Sequence, residues 1–319
     1  MLVLAATAAA YYRFVRRAAE PASTEIAYIL PESAPVSDSP AEIRLGVATL
    51  AEGDRVEVLE RTPHWARVRM EDGRSGWLEA DDLLDAASYE KGRRLLVELQ
   101  KEQPQAAGHP GGLANLRVEP SREATQIGQL AANQRVDIFD RQLVDRPTAP
   151  GAANAEPVRD VWYLVRAGRE AGWVLGRLIS LDVPDAIGRY AQSFNMVGWL
   201  VLNAVQDGER QVPQYLVVDR VGTQEFDFNH IRVFTWWSKR QEYVTAYVES
   251  NLDGHFPIRV RQIDGMPYFR LRLVGKSGEK FQKVYRLDDT IVRPVGTVEG
   301  WESDAMPARP ERRGRRGRR

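Results

Sequence analysis

Thiol chemistry is the first class that the residues exclude. The 319-residue chain has no cysteine, which removes thiolate nucleophiles, disulfides, cysteine-ligated zinc and iron–sulfur clusters. Of its four histidines, His230 and His255 lie in the C-terminal half, 25 positions apart, without the HExxH pattern that sets two metal ligands on one helix face. Each reads as a histidine of a polar face or a turn. Carboxylates are plentiful there (Asp219, Glu225, Asp227, Glu242, Glu249), and a glycosidase needs only two. No pair stands out from the wet face of an antiparallel sheet. Neither a glycine-rich phosphate loop nor a Gly-x-Ser-x-Gly elbow is present. The sequence therefore nominates no catalytic residue, metal ligand or cofactor, and its remaining chemistry is that of surfaces.

Two surface features stand out. Trp236 and Trp237 follow Phe234 closely and share their segment of chain with Trp199, Tyr243 and Tyr247. Neighbouring strand residues point to opposite faces, so one of the two tryptophans must face away from the other. The inward one is expected to pack in the core, and the outward one to stack a sugar ring or a partner's apolar surface. The second feature is the C-terminus, where Arg309, Arg312, Arg313, Arg315, Arg316, Arg318 and Arg319 face a single acid, Glu311. This Arg/Gly-rich tail, 299–319, is expected to be disordered and suited to an anionic polymer or lipid headgroups. Because the net charge of the whole chain is zero, the body is mildly acidic, and nucleic acid is not an expected partner of it.

The elements that position these groups can be read from composition and repeats. Hydrophobic residues make up 43% and charged residues 28%, the balance of an ordinary soluble protein of two or three domains. Met1 to Tyr12 is apolar and is followed by Arg13, Arg16 and Arg17. The run is too short to span a bilayer, and its charges come after it rather than before. Residues 1–21 read as a truncated signal or anchor, or else as a short amphipathic helix.

An internal repeat organises the chain from there to about residue 183. Val47 to Glu60 (VATLAEGDRVEVLE) matches Ile127 to Asp140 (IGQLAANQRVDIFD) apolar for apolar, and His64 to Arg69 (HWARVR) matches Val161 to Arg166 (VWYLVR). Gly76-Trp77-Leu78 then matches Gly172-Trp173-Val174, and a Pro- and Ala-rich insertion at 142–159 reads as a surface loop. Period-two runs broken by glycine, with a hairpin signal at Asp72-Gly73, predict short strands that must close on themselves to bury one face. Gly53 and Asn133 occupy equivalent positions and are residue types that tolerate positive φ, so both copies should turn left-handed there.

The order of a proline-containing loop, Leu-x-x-Gly/Asn-x-x-Val, Trp-x-x-Val and Gly-Trp-Leu/Val resembles the bacterial SH3-like domain. Asn115-Leu116-Arg117 with Pro120-Ser121 matches the family's opening pattern, whereas the first copy has Ala34-Pro35-Val36-Ser37-Asp38 in its place. The resemblance implies an all-β chain with SH3-like barrels at 26–85 and 112–183, joined by a helical linker at 86–111. Residues 186–298 alternate in seven- to ten-residue runs separated by turn signals at Gln206-Asp207-Gly208, Leu252-Asp253-Gly254, Ile263-Asp264-Gly265 and Gly275-Lys276-Ser277-Gly278, and predict an antiparallel β-meander or barrel-like domain of six to eight strands. In the barrels, Trp77 and Trp173 are expected to be structural. Trp65, Arg67, Asn115, Arg117, Trp162 and Tyr163 are the candidate groove residues.

What the resemblance implies is binding or scaffolding at the bacterial cell envelope, with peptidoglycan peptides or an envelope protein as partner, and the residues themselves lead to the expectation of a non-enzymatic protein. Two other readings stay open. One is a wall hydrolase whose C-terminal domain uses carboxylates. The other is a cytoplasmic adaptor whose tail meets nucleic acid.

Overall fold

In a computed structural model of the protein, described over residues 25–146, 159–190, 195–222, 226–303 and 305–307, short strands dominate. The chain divides into two units at Lys91/Gly92. The first contains β1 (Glu25–Ile29), β2 (Ser33–Ser37), β3 (Gly46–Ala51), β4 (Arg55–Arg61), β5 (Trp65–Arg69), β6 (Ser75–Glu79) and β7 (Leu83–Asp85). Alternation places Ala27, Ile29, Val36, Val56, Ala66, Val68 and Leu78 in one closed core. The antiparallel order is β3-β2-β6-β5-β4-β1-β7.

Helix α1 (Ala86–Leu99) comes next, and the division of the chain falls inside it. Asp85 caps its start by accepting the Ser88 amide at 2.9 Å, the N-cap bond that an aspartate makes readily. Tyr89, in its first turn, stacks on Tyr28 with ring centroids 3.8 Å apart. In the second unit, Leu96 and Leu99 pack with Phe139 and Ala171.

The second unit begins with β8 (Ala106–Pro110), β9 (Ala114–Arg117), β10 (Gln126–Leu130), β11 (Val136–Asp145), β12 (Arg159–Ala167), β13 (Glu170–Leu175) and β14 (Ile179–Leu181). Their order is β10-β9-β13-β12-β11-β8-β14, strand for strand the order of the first sheet. Gly53 and Asn133 both have positive φ, +81° and 61°, so the repeat keeps a left-handed turn position through two residue types that accept it.

Two boundaries differ from the sequence expectation. β8 falls within the expected linker. AAGHP has no β-branched residue to announce a strand, and it is held as one by pairing with β11 on one side and β14 on the other. The expected loop at 142–159 is in part strand. Gln142 to Asp145 pair with Arg159 to Trp162 and lengthen the β11–β12 hairpin, and residues 147–158 lie outside the described residues.

After helix α2 (Asp185–Gly188), the chain forms an up-and-down meander: β15 (Asn195–Asp207), β16 (Arg210–Arg220), β17 (Phe228–Trp237), β18 (Glu242–Ile263), β19 (Met266–Val274), β20 (Lys280–Asp288) and β21 (Ile291–Glu299). The fold is all-β, as expected, and this last sheet is curled. Leu200 and Leu202 of β15 share one core with Phe269, Tyr285 and Val292 from the far strands, and Gln262 Nε2 donates to the Leu202 carbonyl at 2.7 Å.

One turn expected from sequence is absent. Leu252-Asp253-Gly254 lies inside the continuous β18, which pairs with β17 before Gly254 and with β19 after it. Glycine is needed there for close approach, since a Cβ would sit 2.2 Å from the Phe228 ring.

The second barrel and the meander are fused. Leu116, Val136, Val165 and Val174 of the barrel join Trp199, Tyr215, Phe234 and Tyr243 of the meander in one cluster. Gln105, only 2% exposed, clasps both parts. Its backbone amide donates to Ile138 O and its carbonyl accepts from Trp199 N, each at 2.7 Å. Its side-chain oxygen accepts from Ile258 N at 2.7 Å while Nε2 donates to Ile258 O at 3.0 Å.

Candidate binding surfaces

The outer face of the first barrel gathers the groups suited to recognition. β5 turns Ala66 and Val68 inward, so Trp65 and Arg67 face outward, and the register sets Arg67 opposite Trp77 of β6. Both tryptophans are half-buried. The loop between β2 and β3 is pinned at its neck by Asp38 and Leu45, which exchange two 3.0 Å hydrogen bonds. Pinning brings Arg44 over Trp65, with its guanidinium carbon 4.6 Å from the ring centroid, a cation–π stack. The same loop exposes Ile43 at 94% and Leu45 at 74%. Aromatic, aliphatic and guanidinium groups thus sit on one strip. Sequence reasoning found Trp65 and Arg67 but missed Ile43, Arg44 and Leu45. Their signal was two aliphatics in an otherwise polar loop.

In the second barrel the equivalent face is closed. Trp162, expected on a partly exposed face, is only 3% exposed and packs with Trp173 and Leu175 beside Val144 and Leu164. The lengthened β11–β12 hairpin brings Val144 to this cluster, and the insertion thereby changes a surface tryptophan into an interior one. Trp173 is structural, as expected, whereas Trp77 is only half-buried. Asn115 Oδ1 accepts from Gln129 Nε2 at 2.9 Å across the β9–β10 pair. Arg117 Nη1 donates to Ala124 O at 2.5 Å and ties down the loop after β9. Tyr163 is turned instead toward the junction with the meander, where burial pushes its phenol above the ordinary value.

The meander's polar groups are engaged with one another. Asp219 is fully buried and receives Arg232 Nε and Nη2, both at 2.8 Å, with His230 Nδ1 at 3.1 Å. Arg232 Nη1 also donates to Tyr190 O at 2.7 Å. Glu249 accepts from Tyr247 at 2.7 Å, Tyr285 at 2.8 Å and Lys283 at 2.5 Å. Burial alone would raise its pKa, and these hydrogen bonds outweigh that and lower it. His255 Nε2 bonds Asp253 at 2.9 Å at the surface. Glu225 lies outside the described residues. Among the described residues, no group of three or more His, Asp or Glu side chains is placed to hold a metal ion.

Trp236 and Trp237 face opposite ways, as alternation requires. Trp236 donates to Asp207 Oδ2 at 3.0 Å and packs edge-on to Tyr243. Trp237 is 39% exposed under the Arg240 guanidinium. The arginines Arg312, Arg313, Arg315, Arg316, Arg318 and Arg319, and the N-terminal segment 1–21, lie outside the described residues.

The two seven-stranded barrel sheets share one strand order. The bacterial SH3 domain family matches residues 111–180, which is the second barrel. No curated protein matches the chain. Among solved structures, NlpC2 from Trichomonas vaginalis is 14% identical, with 88% of this chain and 99% of that chain covered and a TM-score of 0.18. NlpC1 from the same organism is 13% identical over 89% and 96%, with a TM-score of 0.20. An NlpC/P60 family protein from Bacillus cereus ATCC 10987 is 11% identical over 69% and 94%, at 0.21. Scores this low carry no argument about fold or activity. No helix among the described residues is long and apolar enough to cross a membrane.

Proposed function

We propose that this is a non-enzymatic binding protein of the bacterial cell envelope, that its first barrel is a second bacterial SH3 domain, and that this barrel's outer face takes peptidoglycan peptides. The identical strand order of the two barrels supports the second point. The observation that carries the reading is the exposed strip of Trp65, Arg67, Trp77, Ile43, Arg44 and Leu45, which the second barrel lacks. Aromatic faces stack on the apolar edges of a peptide or sugar, and guanidinium groups meet its carboxylates. The ion pairs of Asp219 with Arg232 and of Glu249 with Lys283 argue against these two acids as the catalytic pair of a carboxylate hydrolase.

The test is co-sedimentation of the full chain with purified sacculi at about 0.5 M salt, where the Debye length shrinks to a few ångströms and the arginine tail is screened. Binding should persist and be lost in a Trp65→Ala/Ile43→Ser variant that still melts cooperatively. Absence of binding, or equal binding by the variant, overturns the assignment of this face. Release of soluble wall fragments by the wild-type chain would instead favour the hydrolase.

A further inference from the structure

The first barrel carries far more acid than base, yet it leaves two cations unanswered on one strip. Residues 25–85 hold fourteen Asp and Glu against six Arg and no Lys. Three of the arginines pair with carboxylates: Arg61 with Glu25 at 2.8 Å, Arg69 with Glu57 at 3.1 Å and Arg74 with Asp72 at 2.7 Å. Arg55 stands at the far end of β4 from the strip, across from Tyr28. The other two are Arg44, stacked on Trp65, and Arg67. The Arg67 side chain is exposed, and among the described residues it has neither a hydrogen bond nor an ion pair. Glu60 is its register partner on β4, but no ion pair closes between them.

Arg67 also has a place in an order. The outer face of β5 reads Trp65, Arg67, Arg69, each about 7 Å beyond the last, because a strand advances ~3.3 Å per residue. On the Trp65 side the surface is apolar, with Ile43 and Leu45 of the pinned loop beside the ring. Trp77 faces Arg67 from β6, and on the other side comes the Arg69–Glu57 ion pair with Ser75 across from it. A ligand lying along the apolar stretch therefore meets a cation at its end. An exposed ion pair in water is worth little. Here two indoles flank the guanidinium, and a bound chain would exclude water from the pair and strengthen it.

Resting on the proposed binding of peptidoglycan peptides to this strip, we infer that Arg67 reads the free C-terminal carboxylate of the peptide, so that the barrel favours stem peptides whose end has not been cross-linked. Cross-linking through that end converts a carboxylate into an amide. The amide has no charge and offers one oxygen where the guanidinium fork takes two. Arg67 is thus the specificity-determining residue of the strip, and the aromatic and aliphatic groups hold the body of the ligand.

The probe is a synthetic pentapeptide, L-alanyl-γ-D-glutamyl-L-lysyl-D-alanyl-D-alanine, in three forms: with its C-terminal carboxylate free, with that end amidated, and with the end free but the internal glutamyl carboxylate amidated. Binding to the full chain is measured by calorimetry and by the indole ¹⁵N–H signals of Trp65 and Trp77. Amidating the end should weaken binding about tenfold, the loss expected for one charge-assisted hydrogen bond, and amidating the internal carboxylate should change nothing. Arg67→Gln should bring the free-ended peptide down to the level of the amide. Arg69→Gln, which removes a side chain already paired with Glu57, should keep the tenfold difference. A melting profile for each variant separates lost binding from lost fold. Equal binding of the free and amidated ends, with sacculi still bound, overturns this inference and leaves the role of the strip standing. Failure to bind both sacculi and peptides overturns the strip with it. A difference that survives Arg67→Gln, or that follows the internal carboxylate, overturns the assignment of a free end to Arg67.

Discussion

Replacing Asp140 by asparagine should stabilise the protein above neutral pH and do almost nothing in acid. Asp140 lies at the bulge in β11, where its Oδ1 accepts the Arg141 amide at 2.8 Å. Burial is the largest influence on its carboxyl. Together with the nearby Asp227 charge, it outweighs the amide hydrogen bond and the Arg272 charge and raises the pKa from 3.8 to about 7. A carboxyl raised in the folded state binds more protons folded than unfolded between those two values. Stability therefore falls as pH climbs from about 4 to about 7, and stays reduced above that. At ~1.4 kcal/mol per pKa unit, the shift makes ionised Asp140 cost on the order of 4 kcal/mol. Asparagine keeps the acceptor and has no charge to desolvate. Urea unfolding followed by tryptophan fluorescence, on the full chain and its Asp140→Asn variant, should give a gain of about 2–4 kcal/mol near pH 8.5 and close to zero near pH 4. Carboxylates with lowered pKa values, such as Asp160, impose the opposite pH trend on both proteins and cancel in the difference. A difference that is constant across pH, or a variant less stable than wild type near pH 8.5, would refute the reasoning.

Removing the buried anion in Asp219→Ala strands Arg232 and should cost about 3–5 kcal/mol, read from urea unfolding at neutral pH. Trp162→Ala empties an interior position and should cost about 3–5 kcal/mol, while sacculus binding per folded molecule stays at the wild-type level. Gln105→Ala leaves the Ile258 amide and carbonyl without their partners, a loss of about 2–4 kcal/mol. Hydrogen exchange should then show the Ile258 amide opening before the meander core. For Gly254→Ala, the contact with Phe228 should lower the melting temperature by several degrees, since ~1–3 kcal/mol of overpacking is concentrated at one ring.

The barrels were legible because their signals are local. Alternation at Ala66/Val68, the Asp72-Gly73 turn and the Gly53/Asn133 equivalence each lie within a few residues of chain. β8 was not legible, because AAGHP owes its strand to neighbours some 30 and 70 residues away. Asp253-Gly254 carried a turn signal that tertiary packing put to another use. The binding surfaces divided in the same way. Trp65 could be placed outward from its register with Ala66, whereas the burial of Trp162 depends on a hairpin extension that sequence showed only as a Pro- and Ala-rich run. The buried Arg141–Asp227 ion pair had no signal, for nothing local marks an arginine whose acceptor is 86 positions away.

The core shared through Trp199, Phe234 and Leu116 has a consequence for how such a chain can change over generations. The first barrel encloses its own interior, so duplication or replacement of that segment need alter nothing elsewhere. The second barrel has given up that independence. Any descendant that exchanged it for another SH3-like barrel would expose one side of the meander's aromatic core, and would need a matching change near Tyr215 and Tyr243 at once. The first barrel is thus free to drift in sequence around its own core, while the second is held nearly fixed by what leans on it.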